Sequence, residues 1–184
     1  MYIEHNLDSI QIAMKYLFSL LLVLMAASCS PPKDETLRAR EVKQRALADV
    51  GLLKSDLSEL HRLILVKNAD TTKIQSAFKS ARLHYKAVEY LAEYLVPRVA
   101  KRMNGPALQK VEVEPEEITT TAPNGFQVVE EQLFPEYAPE DPVALSNEVA
   151  YLRQLTDQLE TNLQVSQLKD RQVFEAMRLQ VVRI

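Results

Sequence analysis

The chain has 184 residues, with 22 basic and 25 acidic side chains and a formal net charge of −3. It contains one cysteine, three glycines and no tryptophan. This balance excludes the basic footprint of a nucleic-acid binder. A single cysteine also excludes an intramolecular disulfide, thiol-disulfide exchange and covalent c-type haem, which needs Cys-x-x-Cys-His.

The first element is a leader. From Met14 the chain runs "MKYLFSLLLVLMAASCS", with one lysine, an apolar run from Tyr16 to Ala27 and small residues before Cys29. A basic start, a core of roughly 7–15 apolar residues and a small-residue cleavage region mark a secretory signal. The run is too short for a membrane-spanning helix, which wants about 20 apolar residues. Met1 to Ala13 carries Glu4 and Asp8 but no basic residue, so translation is expected to begin at Met14 and residues 1–13 to be a mis-assigned extension. "AASC", Ala26 to Cys29, resembles the lipobox of bacterial lipoproteins, in which the cysteine is acylated and becomes the first mature residue. The expected layout is therefore a leader over residues 1–28, with the signal peptide at 14–28. A lipidated tether over residues 29–36 and a helical domain over 37–184 complete it. The expected location is a cell-envelope membrane of a Gram-negative bacterium, on its periplasmic side. The leader carries Glu4, Asp8 and Lys15, so the mature chain keeps 156 residues, 23 acidic and 21 basic, enough for one domain with a core.

Apolar residues in the mature chain recur at helical rather than alternating spacing, and an all-α bundle of long antiparallel helices is expected. In the first long helix the stripe is Ala46, Val50, Leu53, Leu57, Leu60 and Ile64, with Gly51 weakening it by about 1 kcal/mol relative to alanine. "KNADTT" ends that helix, and Asp70 or Thr71 can cap the next. The second helix repeats the rhythm at Ala77, Ala81, His84, Val88, Leu91 and Leu95, with Phe78, Tyr85 and Tyr94 widening the stripe. Pro97 lies inside a continuing pattern and is expected to bend the helix near Glu93 to Val96. Asn104-Gly105-Pro106 stops it.

From Ala107 to Pro123 the helical period is lost, and the alternation in "VEVEPEEITTT" suggests a partly extended excursion. Asn124-Gly125 permits a left-handed turn before a short helix that packs Phe126, Val129 and Leu133 inward. Asp141-Pro142 opens the third long helix, with Leu145, Val149, Leu152, Leu155, Leu159 and Leu163 on its inner face. After a break near Ser166 a last helix presents Val173, Met177, Val181 and Ile184 inward. Its apolar stripe continues to the end of the sequence, from which further helix, or self-association through this helix, is expected.

The residues that could carry chemistry are few. A metal site would have to draw on His61, His84 and nearby carboxylates, since His5 is lost with the leader. Without a local ligand spacing, each histidine is expected to be a hydrogen-bonded boundary residue, and no metal or other cofactor is assigned. Arg82, Lys86 and Glu89 share a face of the second helix. That face is either a solvated stripe of ions or a buried polar network completed by Gln127 and by Glu130 or Glu131. No catalytic residue set is assigned, and no enzymatic activity of the chain's own is expected.

Two blocks, "FKSARLHYKAVEYLAEYLVP…NGP" and "PNGFQVVEEQLFP", together with the closing "DRQVFEAMRLQVVRI", carry a resemblance over Ala77 to Ile184. They resemble the imelysin-like N-terminal helical region attached to certain di-haem cytochrome c peroxidases of bacteria. Imelysins are helical envelope proteins thought to bind iron or haem, with a Gly-x-His-x-x-Glu turn. Gly125 and Glu130 match that turn, while Gln127 stands at the histidine position, as in the peroxidase-attached version. The resemblance implies an imelysin-like bundle and a di-haem peroxidase or other periplasmic redox protein as partner. It leaves open two alternatives: a fragment of such a peroxidase, or an iron- or haem-binding protein. The peroxidase domain and its haem motifs have no counterpart in this sequence, so no peroxidase residue carries over.

Overall fold

The computed structural model describes residues 36–106, 110–114 and 117–182. The leader, Cys29, the tether before Thr36 and the terminal Ile184 lie outside the described residues. Among the described residues are six helices and one two-stranded hairpin. They are α1 (Thr36–Leu65), α2 (Thr71–Leu95), α3 (Pro97–Asn104), β1 (Lys110–Glu114), β2 (Glu117–Thr121), α4 (Gly125–Leu133), α5 (Pro142–Val165) and α6 (Asp170–Val182).

Helix α1 spans 30 residues, or about 45 Å, and is the central member, packing chiefly on α2 and α5. Its predicted stripe is buried from Ala46 to Ile64. Each fully buried leucine there stabilises the fold by about 1.5–3 kcal/mol relative to an exposed one. The chain reverses after α1 through Asn68, whose φ of 60° is a left-handed value that asparagine tolerates. Asp70 then caps α2 by accepting from the Thr72 backbone N–H at 2.9 Å.

Cross-helix contacts fix the directions. Asp56 on α1 meets Ser80 and His84 on α2. Lys54 meets Asp157 and Glu160 on α5, and Lys43 reaches the Gln164 and Ser166 carbonyls. Both α2 and α5 therefore run antiparallel to α1. The returning layer is built from α3 and α4 together. Asn104 on α3 bonds Arg82, Phe126 on α4 stacks on Tyr85, and the Leu133 carbonyl accepts from Gln75. Within α3 the Ala100 carbonyl faces Tyr85 and Asn104 faces Arg82; within α4 Phe126 faces Tyr85 and Leu133 faces Gln75. Both short helices therefore run back along α2 and form one interrupted helical layer of an up-down-up-down bundle.

The interruption is the hairpin. Strands β1 and β2 pair antiparallel, Lys110 opposite Thr121 through Glu114 opposite Glu117. The excursion closes at its base, where the Asn124 N–H donates to the Pro106 carbonyl at 3.2 Å. Both bordering glycines have positive φ, 53° at Gly105 and 80° at Gly125. A Cβ on Gly125 would lie 2.4 Å from the Met103 carbonyl oxygen, and one on Gly105 would lie 1.7 Å from that of Asn124. Two chain segments can meet this closely only because neither carries a side chain there.

Three sequence expectations need correction. Pro97 does not bend a continuous helix; Val96 leaves helical geometry (φ −138°, ψ 62°) and Pro97 starts α3. Lacking an N–H, proline fits the first turn better than an interior. The buried stripe of α2 runs through Ile74, Phe78, Ala81, Tyr85, Val88, Leu91 and Ala92, while Ala77, His84 and Leu95 are only half-buried. In α6, Val173 and Ala176 face inward, whereas Met177 and Val181 are exposed. The loop after α5 sets α6 across α2 as well as α1, which turns its inner face away from the predicted one.

Gly125→Ala is expected to cost at least about 2 kcal/mol in urea denaturation, from a left-handed backbone and a clash with the Met103 carbonyl. Gly51→Ala is expected to go the other way, stabilising by about 0.5–1 kcal/mol, because its Cβ would enter open space on a helix.

Candidate functional site

The site is built where α4 crosses α2. Phe126 lies 5.1 Å from Tyr85 in a stacked arrangement and 6.1 Å from Phe78 edge-on; Phe134 lies 5.9 Å from Phe78. All four rings contribute to one aromatic wall, with Tyr85, Phe78 and Phe126 fully buried. Such pairs add about 0.5–1.5 kcal/mol beyond their burial, which locks α4 against α2.

Cations line the outer edge of that wall. The Arg82 guanidinium sits 5.1 Å from the Phe126 ring centre and 5.8 Å from that of Tyr85, and Lys79 Nζ sits 5.2 Å from Phe134. Arg82 also donates to Asn104 Oδ1 at 3.3 Å. Neither Lys79 nor Arg82 pairs with a carboxylate among the described residues. With Leu83, Lys86 and Glu130 these groups line an open groove of ≈ 430 Å³, floored by Phe78 and Phe134. Leu83 is 70% exposed at its side.

The predicted polar network divides here. Glu89 is buried and pairs with Lys86 at 2.6 Å along the same helix. Arg82 is half-buried, but its partners are aromatic rings and Asn104 in place of Glu130 or Glu131. Gln127, Glu130 and Glu131 are exposed, so among the described residues the turn adds no buried side chain to Arg82 and Glu89. Gln127 lines a second groove with Glu93, Lys101 and Asn104. Helical geometry explains the split: Phe126, Val129 and Leu133 take the inner face, leaving Gln127 and Glu130 outside.

His84 is drawn into a different contact. Its Nδ1 lies 2.7 Å from Asp56 Oδ2, and Ser80 Oγ donates to the same oxygen at 2.8 Å. The serine hydroxyl thus faces the carboxylate and is not paired with the imidazole, so this cluster clips α1 to α2 without forming a nucleophile–base pair. His61 is half-buried on α1. Among the described residues, no group of three or more His, Cys, Asp or Glu side chains could hold a metal.

Glu148 escaped the sequence reading. It lies on α5, one position before Val149 of the apolar stripe, and accepts a hydrogen bond from the Gly125 N–H. It thereby caps α4 from a neighbouring helix, where Asn124 makes no side-chain cap bond. Burial pushes its carboxyl above the usual range, and the Gly125 N–H opposes that shift. A folded-state pKa above the unfolded value means the native state binds more protons through that interval. The Glu148 contribution to stability therefore falls as pH rises from the unfolded pKa through the raised one. Glu148→Gln keeps an acceptor for Gly125 and is expected to match or exceed the wild type at pH 8. That advantage should shrink on acidification toward pH 4. Glu148→Leu orphans the N–H and is expected to cost about 1–3 kcal/mol at every pH; denaturation curves across pH check both.

No family model, no curated protein and no solved structure matches this chain, so the reading of the site rests on its own geometry and residues.

Proposed function

We propose that the chain is a non-catalytic, lipid-anchored helical module of a Gram-negative envelope, held through Cys29 and facing the periplasm. Its role is to dock and position a redox partner, of which a di-haem peroxidase is the preferred candidate. The bundle is further proposed to be of imelysin type. That assignment rests on the Gly125-x-Gln127-x-x-Glu130 turn and the blocks around it.

The observation that carries the docking role is the groove between α2 and α4. Its floor is apolar, Leu83 stands exposed at its side, and Lys79 and Arg82 border it without carboxylate partners among the described residues. An apolar side chain of a partner could seat on Phe78, Phe134 and Leu83 while flanking carboxylates approach the two cations. Rim charges of this kind act mainly on encounter rate and partner choice. The aromatic wall beneath keeps the surface rigid, which lowers the ordering cost of binding.

A photo-crosslinking residue placed at Leu83 in the lipidated protein, in its native periplasm, tests the reading. The expected product is a single adduct that stains for haem. Lys79→Glu, which reverses a rim charge, is expected to weaken that adduct about tenfold, a change of roughly 1.4 kcal/mol in binding. Adducts without haem, or none, would defeat the redox-partner assignment.

A further inference from the structure

Helix α6 sits beside the N-terminal end of α1. Asp170, at its start, accepts a hydrogen bond from the Ala39 backbone N–H at 2.8 Å, three residues into α1. Further along, Glu175 accepts from the Tyr94 hydroxyl at 3.0 Å and Gln180 bonds Glu93, both at the C-terminal end of α2. The helix thus spans one end of the bundle, the end from which the chain leads back to Cys29. Seven residue steps separate Cys29 from Thr36, and even fully extended they reach at most about 25 Å. A lipid on Cys29 therefore holds this end, and α6 with it, close to the bilayer. Leu65, at the opposite end of α1, is about 45 Å farther along the helix axis.

The outer face of α6 matches that neighbourhood. Val173 and Ala176 are buried against the bundle, while Phe174, Val181 and Val182 are 65%, 71% and 77% exposed. Phe174 and Val181 lie seven residues apart and share the outward face with Arg171 and Arg178; Met177 borders it. Both acidic residues of the helix bond into the bundle, Asp170 to Ala39 and Glu175 to Tyr94, although Glu175 also receives Arg171 at 3.0 Å. Apolar groups interleaved with arginines, with the acids turned inward, form the composition of a helix that lies in a membrane interface. Anionic headgroups complement the arginines.

We infer that α6 is a second membrane contact, lying in the plane of the anchoring bilayer with Phe174, Val181 and Val182 inserted among the headgroups. The inference rests on the lipid anchor at Cys29 and adds an orientation to it: the groove on α2 and α4 rises from the surface with the bundle axis.

The chain has no tryptophan, so a single introduced one reports its own position. Lipidated Phe174→Trp, Val181→Trp and Leu65→Trp proteins are reconstituted in vesicles of phosphatidylethanolamine and phosphatidylglycerol carrying bromines at shallow acyl positions. All three replaced side chains are exposed, and Leu65 serves as the distal control. Interfacial helices bury their apolar face about 5–10 Å deep, so about twofold quenching is expected for the first two variants and none for Leu65→Trp. Mass measurement of the Cys29 peptide separates the two claims. Acyl chains present with Phe174→Trp and Val181→Trp unquenched would overturn the membrane contact alone. Acyl chains absent would overturn the anchor and this inference together.

Discussion

Every helix end leaves backbone donors or acceptors without a partner inside the helix, and this bundle satisfies several of them from neighbouring helices. Asp170 of α6 takes the Ala39 N–H of α1, and Glu148 of α5 takes the Gly125 N–H of α4. Lys43 of α1 reaches the Gln164 and Ser166 carbonyls at the end of α5. These bonds set the axial position of each helix where apolar packing alone would allow sliding. The α2–α4 groove inherits that precision, because α4 is fixed at its start by Glu148 and along its length by stacked rings.

The long helices were readable from periodicity where only one apolar stripe existed. In α1 and α5 every residue of the predicted inner face is buried, and the apolar side chains off that stripe, such as Leu52 and Leu65 in α1 and Val143 and Val165 in α5, are too scattered to make a competing face. In α2 two overlapping rhythms are present, one through Ala77 and His84 and another through Phe78 and Tyr85. Only packing against α4 decides between them, and the large rings win because they cover more area. The same ambiguity turned α6. A Val173–Met177–Val181 stripe and a Val173–Ala176 contact are both helical spacings, and the small alanine allows the closer approach to the bundle.

The site was legible in part. Arg82, Lys86 and Glu89 were identified as charges on an apolar helix, and the choice between surface ions and buried network resolves into both at once. Glu89 is buried with its own helix neighbour, while Arg82 lies against ring faces that neutralise part of its desolvation cost. Glu148 and Leu83 carried no local signal. A carboxylate beside a leucine stripe looks like any boundary residue, and its role exists only because Gly125 of a distant segment arrives opposite it. The signal at Gly125 itself was sound: the turn is left-handed, as an Asn-Gly pair permits.

The hairpin between α3 and α4 leaves and re-enters the bundle at two points that touch. Pro106 and Asn124 are bonded to each other, and the helical layer resumes on the far side almost as though nothing intervened. Chain length between those points is thus uncoupled from the core. Such a seam can accept longer or altered sequence without disturbing the scaffold, giving the domain a place to acquire new recognition while the helical frame stays constant.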